Sequence, residues 1–208
     1  MRGQRVYDWW ADHQRLFHAL ATLTFGGREW ELRERAIETL APQEREQILD
    51  LACGPGVNFD ALAPAAVVGL DYSAGMVRRA RETAATLDEP RPRVVRGDAG
   101  RLPFPDGSFD AVYSTLAMTA MPDLDAAIEE SYRVLAPGGR FVVLDAQPVQ
   151  EGPGRLLNPL LNPISRWATD WHPEYDVPGA LDARFDRCET KLFNSGSFFI
   201  SEARKVVR

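Results

Sequence analysis

The chain is short of several things, and each shortage excludes something. Among its 208 residues are two cysteines, Cys53 and Cys188, and three histidines. Two distant cysteines make no disulfide framework and no metal-ligand spacing, and they suit unpaired thiols in a reducing compartment. Lysine is almost absent: Lys191 and Lys205 are the only two. The net charge is -6, and no run of Lys and Arg interrupts it. Such a chain gains no counterion-release attraction overall, so a nucleic-acid partner is not expected. No apolar run approaches the ~20 residues that span a membrane. The opening Met1-Arg2-Gly3-Gln4-Arg5 leads into Tyr7-Asp8-Trp9-Trp10 rather than a clean apolar stretch, so no signal peptide and a cytoplasmic location are expected.

What is present suits a globular protein. Apolar residues make up 45% of the chain, and the length fits one domain, 1–208, that can bury a full core. Residues 5 to 40 read as helical, with Val6, Trp10, Phe17, Leu20 and Leu23 able to share a face. Gly26-Gly27 breaks the pattern, and a second helix follows from Glu29 to Leu40, ended by Pro42. Residues 1–44 therefore read as an N-terminal helical cap.

Beyond it, strands and helices alternate. Strands are expected at Gln47 to Ala52, Val67 to Asp71, Val94 to Asp98, Phe109 to Ser114 and Arg140 to Ala146. Helices are expected at Asn58 to Pro64, 74 to 87 and Asp123 to Leu135, the last stopped by Pro137-Gly138-Gly139. This alternation implies parallel βαβ units with helices on both faces of a sheet. Residues 148 to 180 hold six prolines and three glycines and read as a long connection. Two strand-like runs close the chain, about Ala183 to Phe193 and Ser197 to Val207, joined by the hairpin signal Asn194-Ser195-Gly196.

The strongest chemical signal is Ile48-Leu49-Asp50-Leu51-Ala52-Cys53-Gly54-Pro55-Gly56. A strand feeds a glycine turn that opens a helix. Gly54 and Gly56 let the backbone approach a ligand closely, at the strand ends where open α/β sheets bind ligands. A dinucleotide fingerprint wants a third glycine at position 59, which is Phe59. Asp50 would repel a pyrophosphate there but suits an ammonium group. Asp71 ends the second strand about 20 residues on, where a carboxylate can accept ribose hydroxyls. Asp98 ends the third and can accept from an adenine amino group. Together these residues outline a nucleoside pocket.

The sequence resembles the class I S-adenosylmethionine (SAM)-dependent methyltransferases, in the branch that includes quinone-ring and phospholipid methyltransferases. The resemblance rests on Leu49 to Gly56, Gly69-Leu70-Asp71-Tyr72-Ser73-Ala74-Gly75-Met76, Gly97-Asp98-Ala99, Leu102 to Asp110 and Arg133 to Arg140. It implies an α/β, Rossmann-like seven-stranded sheet in the order 3-2-1-4-5-7-6 with strand 7 antiparallel. It also implies SAM as cofactor and S-adenosylhomocysteine as its product. Asp50, Ala52 and the Gly54 to Gly56 turn would hold the methionine part. Asp71 would take the ribose, Tyr72 and Met76 would flank the adenine, and Asp98 with Ala99 would meet the adenine amino group. Ser114 to Leu116 would border the sulfonium. One departure is visible: many relatives carry histidine soon after the fourth strand, where this chain reads Leu116-Ala117-Met118-Thr119-Ala120-Met121-Pro122.

The expected reaction is methyl transfer to a small, apolar or cyclic acceptor. Tyr7 and His172 are the candidate catalytic groups, and the aromatic Trp167, Trp171, His172 and Tyr175 suggest that 148–182 forms a lid. A peripheral membrane contact through Trp9, Trp10 and Phe17 stays open, as does the choice between monomer and homodimer. No metal is expected. Two alternatives stand beside this reading: a non-catalytic SAM-binding module, and a nicotinamide-dependent oxidoreductase.

Overall fold

The computed structural model describes Asp8, Trp10, His13 and residues 27–207. Helix α1 is Glu29–Leu40. Strand β1 (Gln47–Leu51) leads through the short helix α2 (Phe59–Leu62) to β2 (Ala66–Asp71), and α3 (Ala74–Ala84) leads to β3 (Arg93–Arg96). Then come β4 (Phe109–Thr115), α4 (Leu124–Val134), β5 (Leu135–Ala146), α5 (Asn158–Thr169), α6 (Val177–Arg184), β6 (Arg187–Phe193) and β7 (Phe198–Arg204). One seven-stranded sheet results, in the order β3-β2-β1-β4-β5-β7-β6. The first five strands pair in parallel, and β7 runs antiparallel to both β5 and β6. This is the expected topology, strand reversal included.

The apolar alternation of the strands explains the layers. Successive strand residues face opposite sides of the sheet. Leu49, Leu51, Val112, Phe141 and Val143 join one core with residues of α4 and α6. Ile48, Ala111, Tyr113, Val142 and Leu144 join a second core with Leu32, Ala36 and Leu40 of α1 and Ala80 of α3. Burial on both faces is what a parallel sheet requires. Three helix starts, those of α3, α4 and α6, are capped by side chains: Ser73 accepts from Met76 N, Asp123 from Ala126 N and Asp176 from Gly179 N. Arg140 pins the end of α1 to β5, donating to the Leu40 carbonyl at 2.6 Å and gripping Glu46 at 2.8 Å through both Nη atoms. That guanidinium holds the Glu46 carboxyl below the usual range.

Several boundaries differ from the sequence expectation. Helix α2 stops at Leu62 because Pro64 disfavours helical backbone at Ala63, which is extended at ψ 143°. Strand β3 ends at Arg96, so Asp98 lies beyond it in an isolated bridge with Arg101. Pro137-Gly138-Gly139 does not separate helix from strand. Instead β5 begins at Leu135, and the pairing with β4 slips between Phe109 and Ala111. Gly138 makes the bulge possible at φ 85°. The stretch 148–180 is no bare connection: it holds a 3-10 turn, Pro153–Leu157, and helices α5 and α6. Its prolines had concealed them. Each of these helices starts with proline in its first turn, where the missing N–H costs no helical bond.

Phe59, where a dinucleotide fold would want glycine, has a packing role. Its ring is 1% exposed. A Cβ on Gly69 of β2 would lie 2.7 Å from the ring's Cζ and 3.0 Å from Cys53 Sγ, and one on Gly56 would lie 2.5 Å from the ring's Cε2. The ring thus fills the space that both glycines leave open. Gly69→Ala is expected to overpack this layer and cost about 1–3 kcal/mol. Urea unfolding would read it as a lowered midpoint at constant m-value, and an unchanged midpoint would contradict the packing.

Candidate functional site

The carboxyl ends of β1, β2, β4 and β5 meet at one sheet edge. Backbone strain concentrates there. Ala52 leaves β1 at φ 56°, and Leu116 leaves the neighbouring β4 at φ 56°. Left-handed backbone at a non-glycine residue costs ~1–3 kcal/mol and persists only where surroundings enforce it. Leu116 is enforced by its N–H donating to the Leu144 carbonyl at 2.8 Å, and Cys53 N donates to the Leu70 carbonyl at 3.0 Å. Gly54 and Gly56 continue the turn at φ 55° and 82°, and open space faces Gly54.

Two buried carboxylates stand on either side of this turn. Asp71 Oδ2 accepts from Gly54 N and its Oδ1 from Ser73 N, both at 2.9 Å. It thereby ties the glycine turn to the end of β2. Burial pushes its pKa up to about 6, against the downward pull of those N–H bonds. Nearby, Asp8 Oδ1 accepts from Ser73 Oγ at 2.5 Å and Gly75 N at 3.1 Å, so Asp8 is fastened to the start of α3. Asp50 is fully buried, and burial pushes it up to about 7, while Asn58 and Arg33 pull it down. Its side-chain donor is Asn58 Nδ2, at 3.4 and 3.5 Å, which is long for a hydrogen bond. Asp50 is therefore a buried carboxylate short of donors.

Arg33 of α1 completes this network. Its Nη1 donates to Asn58 Oδ1 and Thr115 Oγ1, both at 2.8 Å, and its Nη2 stands 2.9 Å from Glu29. Two further buried hydroxyls, Tyr113 OH and Ser114 Oγ, have no hydrogen-bond partner among the described residues. Polar groups left short of partners in this way favour a polar, donor-bearing ligand at the edge.

The sequence candidates distribute around the edge. Asp50, Ala52, Gly54, Gly56 and Asp71 converge on the β1–β2 end. Tyr72 is half-exposed beside them, and Met76 is buried in the first turn of α3. Ser114 and Leu116 lie at the end of β4. Asp98 is exposed, its Oδ1 accepting from Gly100 N at 2.9 Å, with Ala99 half-buried next to it. His172 is brought to the β4–β5 side, its N–H donating to the Thr119 carbonyl at 2.7 Å. Its ring stacks on Tyr175 at 4.6 Å, with Nδ1 3.3 Å from Glu174 Oε1. Thr119 in turn donates through N and Oγ1 to Asp145, a buried carboxylate pushed up to about 6 by burial. Tyr7 lies outside the described residues, as do Trp9 and Phe17.

Sequence reasoning missed Arg33, Asn58, Thr119 and Asp145, and it placed Thr115 within the run Ser114 to Leu116 without foreseeing its bonds to Arg33 and Asn58. Asp145 had a signal, since it sits near the end of β5 as Asp50 and Asp71 do in their strands. Arg33 had none: it is one charge among many on an amphipathic helix.

Residues 49–143 match the family profile of the methyltransferase domain. A demethylmenaquinone methyltransferase from Thermus thermophilus is 40% identical over 134 residues, covering 62% of this chain and 60% of that protein. One from Lactiplantibacillus plantarum is 36% identical over 148 residues, covering 67% and 58%. The chain thus spans about three fifths of the length of the curated relatives it matches. A solved SAM-dependent methyltransferase from Thermotoga maritima superposes with a TM-score of 0.69 at 16% identity, over 97% of this chain and 99% of that one.

Residues 49–143 thus match a methyltransferase domain, and the fold that frames them is the one seen in solved SAM-dependent methyltransferases. Phe59 can pack against Gly56 and Gly69, and the nicotinamide-dependent reading loses its footing. Among the described residues no group of His, Cys, Asp or Glu could hold a metal ion, and no helix is long and apolar enough to cross a membrane.

The raised pKa of Asp50 has a stability consequence with a definite sign. The folded state holds the Asp50 proton more tightly than the unfolded state does. Its contribution is therefore present at low pH and lost as pH rises through about 7. Asp50→Asn removes that liability. The variant without ligand is expected to melt above the wild type at pH 8, with the gap closing toward pH 4. A gap that is absent, reversed or independent of pH would contradict the burial of this carboxylate.

Proposed function

We propose that the chain transfers a methyl group from SAM to a small, apolar, cyclic acceptor of the quinone kind for which its relatives are named. The observation that carries this reading is the pair of buried strand-end carboxylates, Asp50 and Asp71, on either side of a strained glycine turn. When bound, SAM supplies a methyl carbon activated by its sulfonium. Asp71 would accept the ribose hydroxyls, since each of its oxygens has spent one lone pair on backbone and keeps another. Asp50 and the Gly54–Gly56 turn would hold the methionine part, with Ala52 leaving the backbone room. Tyr72 and Met76 would flank the adenine, with Asp98 and Ala99 at its amino group and Ser114 and Leu116 beside the sulfur.

These residues mainly bind and orient. Alignment of this sort can lower a barrier by ~7–11 kcal/mol without further chemistry. An acceptor that must lose a proton needs a base, and His172 is the candidate: Glu174 holds its Nδ1 side, which leaves Nε2 to act. Tyr7 remains the second candidate.

For the acceptor, the reading rests on the segment after β5. Trp171 Nε1 donates to the Ala146 carbonyl at 3.4 Å, and His172 N to Thr119. The segment 147–172 thus leaves the end of β5, where Gln147 N donates to the Ser197 carbonyl, and its far end returns to the ends of β4 and β5. Along the segment α5 exposes Leu160, Leu161, Ile164 and Trp167. Such a face suits a lid and an apolar wall for a ring or tail, and peripheral contact with the lipid that carries such an acceptor.

The test is transfer of labelled methyl from SAM to a short-tailed demethylnaphthoquinol. Incorporation is expected. A chain that binds SAM but labels neither this acceptor nor a pooled metabolite extract would be a non-catalytic SAM-binding module. Trp167→Ala is expected to raise the acceptor KM roughly 10-fold, the scale of one lost apolar contact, and to leave SAM affinity unchanged. An unaltered KM would remove α5 from the acceptor site.

A further inference from the structure

We infer that Arg33 of α1, with the hydroxyl of Thr115, grips the carboxylate of the methionine tail of SAM. This rests on the SAM reading and adds to it the residues that tell a complete amino-acid tail from a truncated one. An amino acid carries its ammonium and carboxylate on one carbon, so the groups that hold them must be neighbours of opposite charge. Arg33 and Asp50 meet that condition through a single side chain. Asn58 accepts from Arg33 Nη1 on its Oδ1 at 2.8 Å, and turns its Nδ2 toward both oxygens of Asp50. The cation and the donor-poor carboxylate are one amide apart.

Two donors beside the turn are unspent. Thr115 Oγ1 accepts from Arg33 Nη1 at 2.8 Å and from Asn58 Nδ2 at 3.1 Å. A hydroxyl has two acceptor lone pairs and one proton. Both lone pairs are used, and the proton has no acceptor among the described residues. The Arg33 guanidinium has five N–H groups. Its contacts with Glu29, Asn58 and Thr115 engage Nε, both protons of Nη1 and one side of Nη2, which leaves one N–H of Nη2. Arg33 is nearly buried, with 12% of its side chain exposed, and Thr115 is 8% exposed. A carboxylate arriving here would meet a charged fork and a hydroxyl already fixed in place. Thr115 directly precedes the strained Leu116, so the end of β4 is held where its hydroxyl faces the site. Glu29 offsets part of the Arg33 charge and orients the fork.

The test compares three ligands by calorimetry, with no turnover involved. S-adenosylhomocysteine carries both tail charges, decarboxylated SAM lacks the carboxylate, and 5′-methylthioadenosine lacks the whole amino-acid group. With wild-type protein, decarboxylated SAM is expected to bind on the order of 100-fold more weakly than S-adenosylhomocysteine, the scale of a lost buried charge pair. Arg33→Ala should cut S-adenosylhomocysteine affinity by a similar factor and change the other two ligands less than threefold. Thr115→Val, close in shape, should give a smaller loss with the same selectivity. Equal losses for all three ligands would make Arg33 a structural residue and overturn the proposal. So would wild-type protein that binds S-adenosylhomocysteine and decarboxylated SAM equally. Protein that binds none of the three fails earlier, and takes the SAM reading with it.

Discussion

Everything at the sheet edge follows from placing carboxylates at strand ends and then burying them. Asp50 and Asp71 sit where β1 and β2 stop, and desolvation pushes both well above the ordinary carboxylate range. Among the described residues neither has a salt bridge of its own. Asp71 is steadied by two backbone N–H groups, and among the described residues Asp50 has only the long contacts to Asn58. An arrangement that costs stability in this way points to function, because a ligand with matching charge and hydroxyls would recover the cost. The strained Ala52 and Leu116 belong with them: they turn the chain at the ends of two adjacent strands.

The rest of the fold supplies the rigidity that this edge consumes. Two apolar layers close over the sheet, and the Phe59 ring fills the space at Gly56 and Gly69. The glycine turn is thereby supported from below while its upper side stays open. Arg140 fastens the end of α1 to β5 and Glu46, so that Arg33, two turns earlier on α1, reaches the base of the site from a fixed helix. On the far side the Asp145–Thr119 bonds and the His172 N–H hold the segment after β5 against β4 and β5.

The strand order came from the family resemblance, whereas the strands themselves and the β1–β2 half of the site could be read from the sequence, for a local reason. Alternating apolar residues, a glycine turn and an acid at a strand end are contiguous signals, and Asp50, Gly54, Gly56 and Asp71 lie on such segments. What escaped depended on residues that meet only after folding. Arg33 of α1 and Asn58 before α2 meet at Thr115 of β4, and no spacing links the three. The helices of 148–180 escaped for another reason: their first-turn prolines carry the same letters as a loop. The Pro137-Gly138-Gly139 run misled in the opposite sense, since a bulge let the strand pass through a sequence that elsewhere ends one.

On this reading ligand binding ionises Asp50, which is largely protonated in the ligand-free protein below about pH 7. The direct measurement is calorimetric titration with S-adenosylhomocysteine at about pH 6.5, repeated in buffers of different ionisation enthalpy. Binding should release a substantial fraction of one proton, and the release should vanish well above pH 8, where Asp50 is already charged. Binding with no proton release at pH 6.5, or no binding heat in any buffer, would contradict it.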